Sequence, residues 1–122
     1  MGQKKILIIE DNEQNLYLIT FLLESVDFVV LQARDGQQGL EVAAAEHPDL
    51  ILLDIQLPLM DGYEVARRLK QQKETAAIPI VAVTSYAMAG DRETILAAGS
   101  EGYIEKPIDP DSFVAQVQQY LP

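Results

Sequence analysis

The stretch ILIIEDNEQN, residues 6–15, joins a run of four apolar residues directly to the acids Glu10 and Asp11. An apolar run without polar alternation is typical of a parallel strand that is covered on both faces. Acids crowded at the end of such a strand repel one another, and two carboxylates about 4 Å apart at an effective dielectric of about 20 do so by about 4 kcal/mol. The stretch therefore predicts a buried strand that ends either at a cation-binding site or at acids that cap the following helix.

Similar apolar runs recur along the chain and alternate with segments of helical periodicity. The predicted strands cover 5–9, 28–33, 50–54, 80–84 and 102–105, and the predicted helices lie near 13–25, 36–47, 62–72, 90–98 and 110–121. Five strands that alternate with five helices predict an α/β domain with right-handed crossovers. A length of 122 residues suits one domain, 1–122, with one core.

Composition excludes several classes of function. Nine basic and nineteen acidic residues give a net charge of −10, which disfavours direct nucleic-acid binding because phosphate contacts need clustered Lys and Arg. The absence of cysteine excludes disulfides and thiolate metal sites and fits a cytosolic protein. No apolar run approaches the roughly 18 residues that a membrane span needs. We therefore predict a cytoplasmic protein that binds neither nucleic acid nor membrane.

Polar residues stand where the predicted strands end. Asp54 ends the third strand, Thr84 ends the fourth, and Lys106 follows the fifth. Ligands of open parallel sheets bind outside the carboxyl ends of the strands, and the flavodoxin-like order 2-1-3-4-5 makes strands one and three neighbours there. We therefore expect Glu10, Asp11 and Asp54 to meet near Lys106. Oxygen ligands without thiols favour Mg²⁺, with Mn²⁺ as a substitute.

The chain resembles the receiver domain of two-component response regulators over essentially its whole length. The fragments that carry the resemblance are IIEDN (8–12), LILLDIQLPLMDGYE (50–64), PIVAVTSYA (79–87) and GYIEKPID (102–109). Each is weak alone, but four in order, each at a strand end, form a specific signal. The resemblance implies a doubly wound, flavodoxin-like (βα)5 fold with helices on both faces. The segment VTSYAMAGDRE (83–93) is most similar to receivers of phosphorelays and hybrid kinases, so we expect a stand-alone receiver or a piece of a longer protein.

The resemblance also implies a reaction. Asp54 matches the residue that accepts a phosphoryl group, in a Mg²⁺-dependent reaction, from a phosphohistidine or a small phosphodonor. Glu10, Asp11 and the backbone carbonyl of Gln56 would hold the metal together with Asp54, and Glu10 stands where many members have Asp. Lys106 would pair with the phosphoryl group. Such a domain catalyses its own phosphorylation and dephosphorylation but is not a turnover enzyme.

Further positions match the family's switch. Thr84 matches the hydroxyl that engages the phosphoryl group, and Tyr103 matches the aromatic residue coupled to it. Gln56 and Tyr86 match positions that contact or screen the attacking water. The resemblance implies a cis peptide before Pro107 and an output face formed by the fourth helix, fifth strand and fifth helix. The implied partners are a histidine kinase or a histidine phosphotransfer domain, and a second receiver across that face.

Three other functions remain alternatives. A metal-dependent phosphatase with an aspartyl nucleophile generally needs a second acid two residues later, where this chain has Gln56. A flavodoxin needs a phosphate-binding loop rich in Gly, Thr and Ser after the first strand, and none follows Ile9. A degenerate receiver that works without phosphorylation would not need Asp54, Thr84 and Lys106 together. Considered singly, Thr84 is equally explained as a strand former and Lys106 as a solvated lysine.

Overall fold

The computed structural model describes residues 3–85 and 89–121. Each predicted element is present with its predicted type, and apart from the last helix the bounds differ from the predicted ones by at most one residue. The strands are β1 (Lys5–Ile9), β2 (Val29–Ala33), β3 (Leu50–Asp54), β4 (Ile80–Thr84) and β5 (Gly102–Glu105). The helices are α1 (Glu13–Glu24), α2 (Gly36–Glu46), α3 (Gly62–Gln71), α4 (Ala89–Ala97) and α5 (Phe113–Gln118).

The five strands form one parallel sheet in the order β2-β1-β3-β4-β5, which confirms the predicted topology. Ile9 pairs with Leu53, Asp54 with Val83, and Thr84 with Glu105. This register brings the carboxyl ends of β1, β3, β4 and β5 to one edge of the sheet. Any side chains that follow these strands therefore share one end of the molecule.

Helices cover both faces of the sheet, which explains why the apolar runs are not interrupted by polar residues. On one face Ile6 and Ile8 pack in a cluster with buried residues of α1 and α5. On the other face Leu7 and Ile9 pack in a cluster with buried residues of α2 and α3. Alternate residues of β1 thus serve two cores, as expected for a doubly wound sheet.

Side-chain caps fix the start of three helices. Asn12, Asp35 and Asp61 accept hydrogen bonds from the backbone amides three residues later, at 2.9, 2.8 and 3.0 Å. Each bond satisfies an amide that has no partner within its helix. The cap at Asn12 directs α1 away from the strand end immediately after Glu10 and Asp11, so the acids stay at the edge of the sheet.

The predicted start of the last helix near residue 110 is wrong. Residues 110–112 form a turn, and α5 begins at Phe113. The Asp109 carboxylate accepts hydrogen bonds from the Asp111 amide at 3.1 Å and from the Ser112 hydroxyl at 3.0 Å. Such local bonds compete with helical geometry, so Asp109 caps the turn that leads into the helix.

Gly62 tests how tightly the loop after β3 is packed. A Cβ at this position would lie 2.6 Å from the Asp54 carbonyl oxygen and 2.6 Å from Ile55 Cα. Because both neighbours are backbone atoms, we expect Gly62→Ala to destabilise the fold by about 1–3 kcal/mol in urea unfolding. Gly36→Ala is a matched control, since Gly36 also follows an Asp cap but its nearest neighbour is a Val65 methyl group. Equal losses in both variants would contradict this explanation.

No helix within residues 3–85 and 89–121 is long and apolar enough to cross a membrane.

Candidate functional site

Three carboxylates meet at the carboxyl edge of the sheet. Oxygen atoms of Glu10, Asp11 and Asp54 all lie within 4.8 Å of one another. Asp54 is the last residue of β3, and the two other acids follow β1, its neighbour in the sheet. Glu10 is 1% exposed and Asp54 2% exposed, whereas Asp11 is exposed to solvent. The sheet register thus brings together the acids that the sequence placed at this edge.

Lys106 reaches the same cluster from the end of β5. Its Nζ lies 3.0 Å from Glu10 Oε1 and 3.3 Å from Asp54 Oδ2, and its side chain is 12% exposed. The Lys106 amide donates to the Thr84 carbonyl at 2.8 Å, which continues the β4–β5 pairing, and the following peptide bond is cis, as expected. Three ionised acids and one ammonium sum to a formal charge of −2. The cluster is therefore short of positive charge.

This shortage changes the protonation of Glu10. The pKa of Glu10 is raised to about 7, mainly by burial and also by a hydrogen bond with the Asp54 carboxyl, while Lys106 acts in the opposite direction. For Lys106 itself burial lowers the pKa, but the contacts with Glu10 and Asp54 outweigh burial and the net shift is upward. Near neutral pH the cluster binds a proton that an isolated glutamate would release.

We expect the metal-free protein to lose stability as pH rises from about 5 to about 8. The pKa of Glu10 is about 7 in the folded state against an ordinary value of 4.5, so folding favours the protonated form. This contribution is complete below pH 4.5 and is lost as pH passes through about 7. A shift of this size is worth about 3 kcal/mol. Urea unfolding in EDTA at both pH values measures it, and Glu10→Gln should flatten the profile. An unchanged slope in that variant would show that other groups are responsible.

Gln56 connects two of the predicted site residues. Its backbone amide donates to Asp54 Oδ1 at 3.0 Å, and its side-chain Nε2 donates to Thr84 Oγ1 at 2.9 Å. Thr84 is 1% exposed. The Asn12 amide donates to Glu10 Oε2 at 3.2 Å, so backbone donors orient both buried acids. The side-chain contact of Gln56 could not be predicted from the sequence, because it depends on the path of the loop after β3.

Tyr103 lies on β5, where it pairs with Ala82 of β4. Its half-buried ring packs against the small cluster of Ile55, Ala82 and Ile95. The guanidinium carbon of Arg92, on α4, lies 5.4 Å from the ring centroid, within the range of a cation–π contact. Sequence reasoning missed this contact, because it depends on how α4 crosses β5. Tyr86, the other aromatic residue of the predicted site, lies outside the described residues.

The chain is similar to known signalling proteins. The family model described as the response regulator receiver domain matches residues 6–118. Polar-differentiation response regulator DivK of Brucella ovis is 44% identical over 118 residues, which cover 97% of this chain and 96% of that protein.

Solved structures agree with this similarity. The receiver domain of sensor histidine kinase PA1611 from Pseudomonas aeruginosa PAO1, with magnesium coordinated in its active-site cleft, has a TM-score of 0.88 and 34% identity, and 98% of each chain is covered. Chemotaxis protein CheY4 of Vibrio cholerae has a TM-score of 0.94, covers 98% of this chain and 100% of that chain, and at 24% identity shows a shared fold. The chain therefore belongs to the response regulator receiver domains of two-component signalling.

Proposed function

We propose that this receiver is a phospho-acceptor switch in which Asp54 takes a phosphoryl group from a phosphohistidine or a small phosphodonor. The observation that carries the proposal is the buried Asp54 carboxylate, which lies 3.3 Å from the Lys106 ammonium and within 4.8 Å of two further acids. Residues 1–122 act as one domain in this proposal. A surface aspartate would have neither the burial nor the fixed cation.

Mg²⁺ is the metal that best fits the acidic cluster. We infer that Glu10, Asp11, Asp54 and the backbone carbonyl of Gln56 would hold it, since hard oxygen ligands suit this ion. The donor set contains only oxygen, and the formal charge of −2 on the cluster together with Lys106 supports binding of a divalent cation. When bound, the ion would neutralise charge on the phosphoryl oxygens. The related PA1611 receiver has magnesium in its cleft, and Mn²⁺ is the expected substitute here.

The residues of the chain supply positioning and charge. An Asp54 carboxylate oxygen forms a bond to phosphorus while the phosphorus–nitrogen bond of the donor breaks, and the electron pair stays on the imidazole. Lys106 stabilises the anionic group in transit, and the Thr84 hydroxyl donates to a phosphoryl oxygen. Water later releases the phosphate, and Gln56 and Tyr86 modulate its access. The domain promotes both steps on itself without turning over a substrate.

The switch links Asp54 to the face formed by α4, β5 and α5. Thr84 ends β4, and Tyr103 lies on the adjacent strand β5 with its ring beside Ala82 of β4. Movement of Thr84 toward a phosphoryl group changes the space available to Tyr103. We infer that the Tyr103 ring has two positions and that phosphorylation biases them. The altered face would then bind a partner, including a second receiver.

The proposed phosphoryl donor is a histidine kinase or a histidine phosphotransfer domain, the partners with which receiver domains interact. The helix next to the site supports a protein donor, because α1 exposes Tyr17 and Phe21, 64% and 59% accessible, in an edge-to-face pair. Exposed aromatic residues near a reactive group favour contact with another protein. Nucleic acid remains an unsuitable direct partner because of the net charge of −10. Location in the cytoplasm stays a prediction from the lack of cysteine.

Intact mass spectrometry tests the proposed function. Acetyl phosphate with Mg²⁺ should add one phosphoryl group, and EDTA should prevent the addition. Phosphoramidate serves as a second donor with a phosphorus–nitrogen bond. A protein that takes no phosphoryl group from either donor, nor from a phosphorylated histidine phosphotransfer domain, would refute the proposal. A chemical-shift map of the product would follow the switch, and changes confined to Asp54 that never reach Tyr103 would refute that part.

A further inference from the structure

Gln56 forms hydrogen bonds with both the predicted phospho-acceptor, Asp54, and the predicted switch residue, Thr84. Its backbone amide donates a hydrogen bond to Asp54 Oδ1 at 3.0 Å, and its side-chain amide donates one to Thr84 Oγ1 at 2.9 Å. Asp54 ends β3, and Thr84 ends the neighbouring strand β4. A single loop residue therefore spans the gap between the two strand ends at which the reaction would take place.

We propose that the Gln56 side chain is a positioning residue that orients the Thr84 hydroxyl toward the group carried by Asp54. The inference rests on the proposed function of Asp54 and Thr84. In this role the Gln56 side chain acts through Thr84. The role differs from metal binding through the Gln56 backbone carbonyl and from the screening of water.

The polarity of the hydrogen bond supports this role. A threonine hydroxyl has one proton to donate and two lone pairs that accept. The Gln56 amide donates, so it occupies a lone pair of Thr84 Oγ1 and directs the hydroxyl proton to an acceptor other than Gln56. Phosphoryl oxygens accept hydrogen bonds and have no proton to donate, so Thr84 must supply the proton. The hydrogen bond from Gln56 therefore makes Thr84 an acceptor toward Gln56 and a donor toward other groups, as the proposed reaction requires.

Burial explains why one hydrogen bond matters here. Thr84 is 1% exposed, and its backbone carbonyl is fixed by the Lys106 amide at 2.8 Å. The χ1 rotamer of Thr84 decides where its hydroxyl lies. The bond to Gln56 favours one of the staggered rotamers. Gln56 itself is only half-buried, so its side chain can be changed without opening a cavity in the core.

A double-mutant cycle tests whether Gln56 acts through Thr84. Gln56→Met keeps the length of the side chain but removes the donor, and Thr84→Val keeps the shape but removes the hydroxyl. In acetyl phosphate with Mg²⁺, we expect Gln56→Met to slow phosphorylation about three- to tenfold, the usual effect of one hydrogen bond. The double variant should be no slower than Thr84→Val alone. A double variant slowed by the product of both single factors would overturn the inference.

Gln56→Glu tests the polarity directly. A carboxylate accepts hydrogen bonds but cannot donate one. The Thr84 hydroxyl would therefore donate to the introduced carboxylate in this variant and turn away from the phosphoryl group. We expect Gln56→Glu to be phosphorylated more slowly than Gln56→Met. The ratio of these two phosphorylation rates should be smaller in the Thr84→Val background, where only the added charge still acts. A ratio that is the same in both backgrounds would show that charge alone is responsible and would refute the polarity argument.

A spectroscopic measurement separates positioning from a general structural effect. The side-chain amide resonances of Gln56 should shift in Thr84→Val, whereas those of the exposed Gln72 should not. Unchanged Gln56 resonances would overturn the contact itself. Failure of the wild type to accept any phosphoryl group would refute the proposed function and the inference with it. Normal phosphorylation with independent effects in the cycle would refute the inference alone.

Discussion

Replacing Asp54 with asparagine should abolish Mg²⁺-dependent phosphorylation and, at the same time, stabilise the metal-free protein. The first effect follows because an amide cannot replace the carboxylate as the proposed nucleophile. The second follows because oxygen atoms of Asp54, Glu10 and Asp11 lie within 4.8 Å of one another, and Lys106 offsets only part of their negative charge. Loss of function with a gain in stability is what a site under electrostatic strain should show.

The expected gain in stability is the difference between two opposed effects. At pH 8 Glu10 is mostly ionised because its pKa is about 7, and repulsion between two carboxylates about 4 Å apart is worth about 4 kcal/mol at an effective dielectric of about 20. Against this, the variant loses the contact between Asp54 Oδ2 and Lys106 at 3.3 Å, although Lys106 keeps Glu10 at 3.0 Å. Asparagine Oδ1 can still accept the hydrogen bond from the Gln56 backbone amide. We therefore expect a net gain of about 1 kcal/mol, which raises Tm by about 4 °C.

Two measurements on the same samples check this prediction. Intact mass after treatment with acetyl phosphate and Mg²⁺ reports phosphorylation, and a thermal scan in EDTA at pH 8 reports stability. Glu74→Gln is a control that removes an exposed acid from the loop before β4, and it should resemble the wild type in both. An equally abundant Mg²⁺-dependent adduct in Asp54→Asn would move the acceptor to another residue. A lower Tm in EDTA would show that Asp54 stabilises the apo protein.

Much of the fold was predictable because its pattern is regular. Uninterrupted apolar runs such as Leu50–Leu53 predict strands buried on both faces, and this prediction is confirmed. The strand order comes from the general topology of flavodoxin-like sheets, since neither periodicity nor composition specifies which strands are neighbours. The start of α5 was wrong because the Asp109 carboxylate bonds locally to Asp111 and Ser112, and a Pro after an Asp is compatible with a turn as well as with a helix.

For the candidate site, the sequence could predict which residues lie close together but not their burial or their individual contacts. Parallel strands bring their carboxyl ends to one edge, so residues that follow β1, β3 and β5 had to be close. The sequence could not show that Glu10 is buried while Asp11 beside it is exposed, and the burial of Glu10 is the largest cause of its raised pKa. The contacts of Gln56 with Thr84 and of Arg92 with Tyr103 depend on rotamers and helix placement, which no short motif encodes.

Replacing Lys106 with methionine should have the opposite effect on stability from Asp54→Asn. Methionine keeps most of the apolar length of the side chain but leaves Glu10 and Asp54, which are 1% and 2% exposed, without their ammonium partner. Removal of one member of a buried ion pair typically costs about 3–5 kcal/mol. Part of this cost is recovered if Glu10 takes up a proton, since its pKa is already about 7 and loses the influence that lowers it. We therefore expect a loss of about 2–4 kcal/mol at pH 8 and a smaller loss at pH 5.

The same variant should respond more strongly to Mg²⁺ than the wild type. Without Lys106 the cluster has three carboxylates and no fixed cation among the residues described, so a divalent ion relieves more repulsion when it binds. Urea unfolding at both pH values, with EDTA or with millimolar Mg²⁺, measures the effect. Lys73→Met removes an exposed lysine and should change stability by less than about 0.5 kcal/mol under every condition. If Lys106→Met is as stable as the wild type in EDTA at pH 8, the ion pairs contribute nothing to the fold. If Mg²⁺ stabilises it no more than the wild type, Lys106 and the metal do not offset the same charge.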